Sequence, residues 1–218
     1  MKMTSGEGDL PDRRARRRAA MIDAGRTLFM EQGYDAVSLA AIVRRSGGSL
    51  STFYAVFENK AGLLRAIVAE ERFEGIERLD ALVARGGSPA GLLRAIAESI
   101  HADLARPEMI RLMRVVMAKS LDDAAFAHAI YENAHQPRVE WLARLFARWD
   151  QAGAARIPDP MMAAQFFLGM TLHAAQTRAL FGDRAGLQER TEAQCLTSAV
   201  EVFVAGYAIA AGNAGRAA

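Results

Sequence analysis

The sequence has very little cysteine and no long uncharged apolar run. Cys195 is the single cysteine among 218 residues, and a lone cysteine cannot form an intrachain disulfide, which is typical of proteins in a reducing compartment. Hydrophobic residues make up 51% of the chain, yet no stretch of about 18 apolar residues lacks charge. No apolar segment follows the early basic residues as it would in a secretory signal. These absences predict a cytoplasmic chain with no membrane span.

The residue patterns of enzymes and metal sites are also missing. The four histidines stand apart at positions 101, 128, 135 and 173, and no pair shares one helix turn. There is no Gly-rich phosphate loop, nucleophile elbow or CxxC pair. The adjacent carboxylates Asp122 and Asp123 fall at an expected helix start, where acidic residues are favoured in any case. We therefore expect no enzymatic activity, no catalytic residue, no metal ligand and no cofactor.

Signals for β-strands are scarce, and only six prolines occur, near the ends of segments. Apolar residues instead recur at helical spacing, which predicts an all-α fold without internal repeats. The predicted helices cover residues 12–32, 38–46, 49–56, 59–84, 89–105 and 108–120, one or two helices between 122 and 152, and two long helices over 161–181 and 186–210.

Positive charge is concentrated near the N-terminus. Residues 13–65 contain ten Lys or Arg and four Asp or Glu, a balance of +6, whereas the whole chain carries +2, so the other segments sum to −4. A basic first quarter favours a polyanion-binding module joined to a body that does not bind polyanions. The alternative is an ordinary solvated helix face that is rich in arginine.

The two short helices at 38–46 and 49–56 have the size of a helix-turn-helix. Ser38 and Ser49 can each cap one helix, and Gly47 with Gly48 breaks the chain between them. In this motif the second helix enters the major groove, which admits one helix with short exposed side chains. The residues with suitable side chains there are Ser49, Ser51, Thr52, Ala55 and Val56. Helical hairpins of this length also occur in plain bundles, so spacing alone leaves both interpretations open.

The residues themselves favour the first interpretation. They form one run of Ala24, Leu28, Phe29, Gly33, Tyr34, Ala36, Val37, Ser38, Leu39 and Ile42, and a second run of Gly47, Ser49, Thr52, Phe53, Tyr54, Phe57, Asn59, Lys60, Leu63 and Leu64. Together these runs resemble the DNA-binding domain of the tetracycline-repressor-like (TetR) family. The resemblance implies an all-α homodimer with an N-terminal three-helix DNA-binding domain and a C-terminal helical ligand-binding and dimerisation domain. Residues 111–182 resemble, more loosely, the C-terminal domain of an AefR-like subgroup.

The resemblance also implies roles for individual residues. Ser38 would cap the second helix and touch a phosphate, Thr52 and Tyr54 would contact base or backbone, and Lys60 would grip a phosphate. The alternatives are a packing aromatic for Tyr54 and a solvated first-turn residue for Lys60. The complete predicted DNA-binding set is Ser38, Arg44, Arg45, Ser49, Ser51, Thr52, Tyr54 and Lys60.

Three positions depart from the family pattern, namely Leu50, Ser51 and Val56. Leu50 and Val56 make the expected recognition surface more apolar, which favours methyl contacts or shape readout over hydrogen-bond readout. The operator sequence therefore does not follow from the chain. The arginines before and at the start of the first helix can follow the DNA backbone or enter the minor groove, or they form a solubilising tail; these are Arg13, Arg14, Arg16, Arg17 and Arg18.

The predicted domains are a disordered arm over 1–11, a DNA-binding domain over 12–60, a ligand-binding and dimerisation domain over 61–212, and a loose tail over 213–218. In the body, Met109, Met113 and Met117 repeat along one helix face, as ordinary core or as an adaptable pocket wall. The predicted ligand-binding set is His101, Met109, Met113, Met117, Trp141, Phe166, Met170 and His173, and Tyr131 and Gln176 are further polar candidates.

The helices at 161–181 and 186–210 are the predicted dimer interface, because both offer small and apolar faces for a four-helix arrangement. Its predicted residues are Met170, His173, Ala174, Thr177, Ala199, Val202, Phe203 and Gly206. The sequence thus predicts a homodimeric regulator that is released from double-stranded operator DNA by a small, largely apolar effector, with no membrane partner. An activator, or a helical small-molecule-binding protein without specific DNA binding, is the alternative.

Overall fold

The computed structural model describes residues 9–182 and 189–212, and within these ranges all regular secondary structure is helical, with no β-strand. The all-α prediction is therefore confirmed. The helices are α1 (Asp9–Gln32), α2 (Leu39–Ser46), α3 (Leu50–Phe57), α4 (Lys60–Ala84), α5 (Pro89–Ala105), α6 (Pro107–Asp122), α7 (Ala124–Ile130), a π-helix (Tyr131–His135), α8 (Gln136–Gln151), α9 (Pro160–Phe181) and α10 (Glu189–Gly206).

The start of α1 and the end of α10 differ from the prediction by three or more residues. Helix α1 begins at Asp9 and so includes residues 9–11 of the predicted arm; Pro11 is tolerated because the first turn of a helix needs no backbone N–H. Helix α10 ends at Gly206. The chain after it turns away and forms backbone hydrogen bonds, Arg156 N to Tyr207 O at 2.8 Å and Ala210 N to Ala154 O at 2.8 Å. The rest of the predicted arm and the predicted tail lie outside the described residues.

The chain divides into two compact units. The head unit contains the described residues up to Glu70 together with Arg111–Ile130, and the body unit contains Glu71–Ile110 and the described residues from Tyr131 onward. The sequence-based division at residue 60 assigned 61–70 and 111–130 to the body. The structure groups them with the head because their apolar side chains belong to the same core as those of α1 to α3.

The head core is built from one face of each of its helices. Phe29 of α1, Ile42 of α2 and Phe53 of α3 are almost fully buried. The first part of α4 adds Leu63, Leu64 and Ile67, and α6 and α7 add Leu112 and Phe126. This apolar packing is the main source of rigidity for two helices of only eight residues each, which are too short to be stable alone.

The body core is centred on aromatic side chains from α8, α9 and α10. The ring centroid of Phe203 lies 5.5 Å from that of Phe146, 5.2 Å from that of Phe167 and 4.6 Å from that of Tyr207. Phe203 is only 2% exposed. Its predicted place on the dimer interface was therefore wrong, because its position on α10 turns it into the core of its own subunit while Val202 faces outward. No helix in the described ranges is long and apolar enough to cross a membrane.

Candidate DNA-binding surface

Helix α2 begins and ends as the sequence predicts. Ser38 adopts an extended backbone conformation, and its hydroxyl accepts a hydrogen bond from Ala41 N at 3.2 Å. This satisfies one of the backbone donors that a helix start leaves free. Gly47 ends the helix at φ +68°, a left-handed conformation that a residue without Cβ adopts at little cost. The turn into α3 is therefore short and fixed.

Ser49 caps helix α3. Its hydroxyl accepts a hydrogen bond from Thr52 N at 3.2 Å, and it lies 2.8 Å from Thr52 Oγ1 and 2.9 Å from Ser51 Oγ. Three hydroxyl groups thus meet at the N-terminus of the helix. Free N–H groups and the positive end of the helix dipole favour an anionic group at such a place.

The two sides of α3 differ in character. Phe53 and Phe57 are buried in the head core, whereas the outward side chains have large exposed fractions, 45% for Leu50 and 52% for Tyr54. Val56, which the sequence suggested as part of an apolar recognition surface, is partly buried and packs against the head core. The outward surface is therefore more polar than predicted, with Leu50 as its large aliphatic side chain.

The connection from α3 to α4 depends on Glu58, Asn59 and Gly62, none of which is in the predicted DNA-binding set. Glu58 ends α3 at φ +64°, and its N–H donates to Tyr54 O at 3.0 Å. Asn59 Oδ1 then accepts a hydrogen bond from Gly62 N at 2.8 Å and caps α4. A Cβ atom at position 62 would stand 1.9 Å from the carbonyl oxygen of Phe57, so this close approach admits only glycine. In the sequence, the Asn-x-x-Gly spacing of Asn59 and Gly62 was the signal that could have predicted this cap and close approach.

Lys60 points from the start of α4 toward the loop between α1 and α2. Its Nζ donates to the carbonyl oxygens of Tyr34 at 2.7 Å, Val37 at 3.1 Å and Asp35 at 3.4 Å. It also lies 4.4 Å from the centroid of the Tyr34 ring. Burial lowers the pKa of Lys60, while the charge of Asp35 opposes this shift. An ammonium group has three donors, and here all three face backbone carbonyls that lead into Ser38.

A second charged pair lies near the same loop. Lys119 Nζ lies 3.0 Å from Asp123 Oδ2, and Asp123 Oδ1 accepts a hydrogen bond from Phe126 N at 2.9 Å, which caps α7. That backbone hydrogen bond, followed by the one from Lys119, lowers the pKa of Asp123. Burial raises the pKa of Tyr34, and the charge of Lys119 opposes this shift. The end of α6 is therefore electrostatically coupled to the loop that Lys60 holds.

The basic residues of the head fall into two groups. Arg44 and Arg45 are exposed at the end of α2, and Arg45 Nη1 lies 3.6 Å from Glu31 Oε2 in a surface ion pair. The five predicted arm arginines are exposed along α1 rather than on a disordered arm. Among them, Arg18 pairs with Glu70 of α4 at 3.2 Å. Exposed pairs of this kind contribute little stability, so these cations can exchange partners at low cost.

The predicted ligand-binding residues are divided between the two units. Met113 and Met117 belong to the head unit, and the other six belong to the body unit. Trp141 is buried, and its indole N–H donates to Asp80 Oδ1 at 2.8 Å. Phe166, Met170 and His173 are exposed along α9, whereas His101 and Met109 are partly buried. Within the described ranges, no three His, Cys, Asp or Glu side chains are placed to hold a metal ion.

Two capped helices joined through a left-handed glycine, with the second helix exposed beside basic residues, define a helix-turn-helix DNA-binding protein. The profile of the bacterial regulatory proteins of the tetR family matches residues 21–67. That of the AefR-like transcriptional repressor C-terminal domain matches residues 91–209. The chain belongs to the TetR family of transcriptional regulators, which are not enzymes, and carries an AefR-like C-terminal domain.

Individual relatives agree with this assignment. The chain is 45% identical over 51 residues to the HTH-type transcriptional repressor ComR of Escherichia coli K12, a match that spans 23% of this chain and 24% of ComR. A TetR-family structure from Mesorhizobium loti MAFF303099 has a TM-score of 0.80 at 24% identity, covering 89% of this chain and 98% of that one. FadR of Bacillus subtilis in complex with stearoyl-CoA has a TM-score of 0.69 at 18% identity, covering 86% and 98%. At such identities the two structures are evidence for the fold alone.

Proposed function

We propose that this protein is a ligand-responsive transcriptional regulator that binds operator DNA as a homodimer. Its simplest mode is repression, relieved when a small, largely apolar effector binds the body. The observation that carries the proposal is helix α3, which exposes Ser51 and Tyr54 from a rigid head while Ser49 caps its N-terminus. The protein then acts in the cytoplasm. An activator role follows from the same chemistry, because the position of the operator decides between the two.

The proposed DNA contacts divide by chemistry. Side chains on α3 reach base edges. Among them, Thr52 contributes more to the affinity for the operator than to the affinity for nonspecific DNA. Arg44 and Arg45 meet phosphates, which hold the protein in register but carry no sequence information. The hydroxyls of Ser38 and Ser49 meet phosphates at helix N-termini. A phosphate contact by Lys60 requires one of its three carbonyl contacts to be exchanged.

The proposed dimer uses the exposed face of α9 with that of α10. Met162, Phe166 and Met170 are spaced four residues apart on α9, and their exposed fractions are 48%, 54% and 43%. Val202 on α10 is 61% exposed. Large apolar side chains in a row are unfavourable in water and are typical of protein–protein interfaces. A second copy of the chain is the natural partner, because a two-fold interface pairs the same face from each subunit.

The proposed effector is apolar for most of its length. The B. subtilis FadR structure, whose fold is similar, contains stearoyl-CoA. An effector weakens DNA binding only if it binds the DNA-free conformation of the protein more tightly than the DNA-bound conformation.

Fluorescence anisotropy with a labelled duplex from the gene's own upstream region tests the DNA-binding proposal. We expect tighter binding than to a scrambled duplex, and affinity that falls steeply with salt as phosphate contacts release counterions. Tyr54→Ala should weaken operator binding about tenfold or more. Tyr131→Ala is the matched control, because Tyr131 is similarly exposed, at 48%, but lies in the body unit. Absence of binding to any such duplex at low salt rejects the proposal and leaves the small-molecule-binding alternative.

A further inference from the structure

The body unit contains a cluster of charged side chains that the DNA-binding function does not use. Arg78 Nη2 donates to both carboxylate oxygens of Asp103, at 2.6 and 2.8 Å. Arg106 Nη1 lies 3.7 Å from Asp103 Oδ1 and 3.4 Å from Glu71 Oε2. These groups come from α4 and from α5 with the residue that follows it. Two of the arginines in this cluster thus have carboxylate partners.

A third arginine in the cluster, Arg138 of α8, has none. In the described part of the chain its guanidinium forms no hydrogen bond and no ion pair, although it is largely shielded from water. Desolvation lowers the pKa of Arg138, the charge of Asp103 opposes this shift, and the charge of Arg78 adds to it. Arg138 is partly buried, and a cation that loses part of its hydration without gaining a partner is unfavourable. A bound anion would offset that cost.

The cluster of arginines and carboxylates has a net charge of about +1 when its members are counted. Arg78, Arg106 and Arg138 face Asp103 and Glu71, which is three cations against two carboxylates. Asp103 already accepts both of its short hydrogen bonds from Arg78. A bound monoanion would complete the balance, whereas a dianion would exceed it and lie close to Asp103.

The cluster borders a position that the missing side chain of Gly75 leaves open. Gly75 is buried on α4, yet a Cβ atom there would have only two neighbours within 4 Å, Nη2 of Arg138 and Nη2 of Arg78, each at 3.9 Å. Nη2 of each of these two guanidinium groups therefore borders the position that a side chain at residue 75 would occupy. Arg138 is the one of the two that has donors without partners.

The π-helix directly precedes α8, the helix that carries Arg138, and the residues at its two ends lie at the protein surface. Tyr131 and His135, at its two ends, stack with ring centroids 5.3 Å apart, and both are exposed. Desolvation by neighbouring atoms and, second, the charge of Arg138 lower the pKa of His135, although part of its ring faces solvent. His135 thus lies within electrostatic reach of Arg138 and gives a probe of it. Single-turn π-helices are frequent at functional sites.

We propose that Arg138 anchors the carboxylate of an organic acid whose remainder is apolar, in the space beside Gly75. A guanidinium group matches a carboxylate with two parallel hydrogen bonds, which lysine does not reproduce. The proposal rests on the proposed function in one respect, that the acid is the effector. It adds that the effector is a carboxylic acid and names the residue that recognises it.

The first experiment uses the full-length protein without ligand. Arg138→Gln should leave the melting temperature unchanged or raise it, because the variant removes a partly buried cation that has no partner in the described part of the chain. The same variant should raise the pKa of His135 in an NMR titration of the four histidines. Arg144→Gln, an exposed arginine on the same helix, should change neither quantity. A drop of about 4 °C or more in Arg138→Gln, or an unchanged His135 titration, overturns the proposal.

The second experiment uses matched probes in isothermal titration calorimetry without DNA. Sodium decanoate should bind about tenfold or more tightly than decanol, and 2-naphthoate more tightly than 2-naphthylmethanol, because neither alcohol can form the charge-assisted pair. Arg138→Gln and Arg138→Lys should abolish the preference, and Arg144→Gln should keep it. The proposal is overturned if neither acid is preferred or if Arg138→Gln keeps the preference. Tighter binding of decyl phosphate than of decanoate overturns the choice of carboxylate.

These measurements separate the site from the proposed function. If decanoate binds through Arg138 but does not change the affinity for operator DNA, the site is supported and the ligand-responsive mechanism fails. If the protein binds no operator at all, the calorimetric comparison still decides whether Arg138 recognises a carboxylate.

Discussion

The head unit and the body unit treat their charged and apolar groups in opposite ways. In the head, Lys60 meets three backbone carbonyls and Lys119 meets Asp123, so these cations stabilise backbone geometry. In the body, Arg138 has no such partner within the described residues. The head also turns hydroxyl and basic groups outward, whereas the body exposes a row of large apolar side chains on α9.

This difference is informative about function. Short, fixed hydrogen bonds around α2 and α3 hold the recognition helix in one geometry, which sequence-specific DNA binding requires. Within its described residues, the body has two kinds of group without such contacts, the apolar side chains on α9 and the cation of Arg138. Binding of another molecule at either place would lower the free energy. The recognition helix of the head is thus held by hydrogen bonds within the head itself, whereas the described part of the body leaves the apolar row on α9 and the cation of Arg138 without such contacts.

Met170→Glu tests whether the exposed apolar row on α9 forms the dimer interface. Of the variants considered, it should have the largest effect on operator affinity. A two-fold interface buries the new carboxylate twice, and each unpaired buried charge costs about 3 to 5 kcal/mol. We expect the dimer to become a monomer at micromolar concentration in analytical ultracentrifugation, and operator affinity to fall about a hundredfold or more. Ala102→Glu, at an exposed position on α5, is the control and should remain dimeric. A dimeric Met170→Glu protein would place the interface elsewhere.

Gly62→Ala should strongly destabilise the head. Its Cβ would stand 1.9 Å from the Phe57 carbonyl oxygen, so the corner between α3 and α4 must move. We expect a loss of about 2 to 3 kcal/mol in the free energy of unfolding, measured with urea, together with weaker operator binding. Gly75→Ala lies on the same helix in the body, where the nearest atoms are 3.9 Å away. It should be neutral or stabilising by up to about 1 kcal/mol; equal losses in both variants would contradict the proposed tightness of the corner.

Local signals in the sequence predicted the fold and the recognition helix well, because caps and helical periodicity involve neighbouring residues. The hydrogen bonds of Ser38 and Ser49 confirm this. Val56 and Phe203 were misplaced because helical spacing shows that a residue is on an apolar face but not which partner that face meets. The roles of Lys60 and Arg138 depend on groups more than 20 residues away in the chain, such as Tyr34 and Asp103. Sequence spacing holds no information about such long-range interactions.

Lys60→Met separates positioning from phosphate binding. If Lys60 mainly holds the carbonyls of Tyr34 and Val37, we expect a loss of about 2 kcal/mol in unfolding free energy and weaker binding to all DNA, with the salt dependence of binding unchanged. If it mainly binds a phosphate, the slope of log affinity against log salt should become shallower by about 0.9 per phosphate, with little change in stability. Arg44→Met, at an exposed position, gives the reference, because Arg44 is proposed to bind phosphate without holding any backbone group.

Ser49→Ala should have the smallest effect of these variants on stability, and it tests whether the cap of α3 stabilises the head. The variant removes the hydroxyl that accepts a hydrogen bond from Thr52 N, and loss of such a cap costs about 1 kcal/mol. Ser51→Ala removes a hydroxyl from the same cluster that caps no helix, so the unfolding free energy should change by no more than about 0.5 kcal/mol. Both are measured by urea denaturation of the full-length protein. Equal destabilisation by the two variants would mean that the three hydroxyls act as one network, and that the rigidity of the head depends on more than its caps.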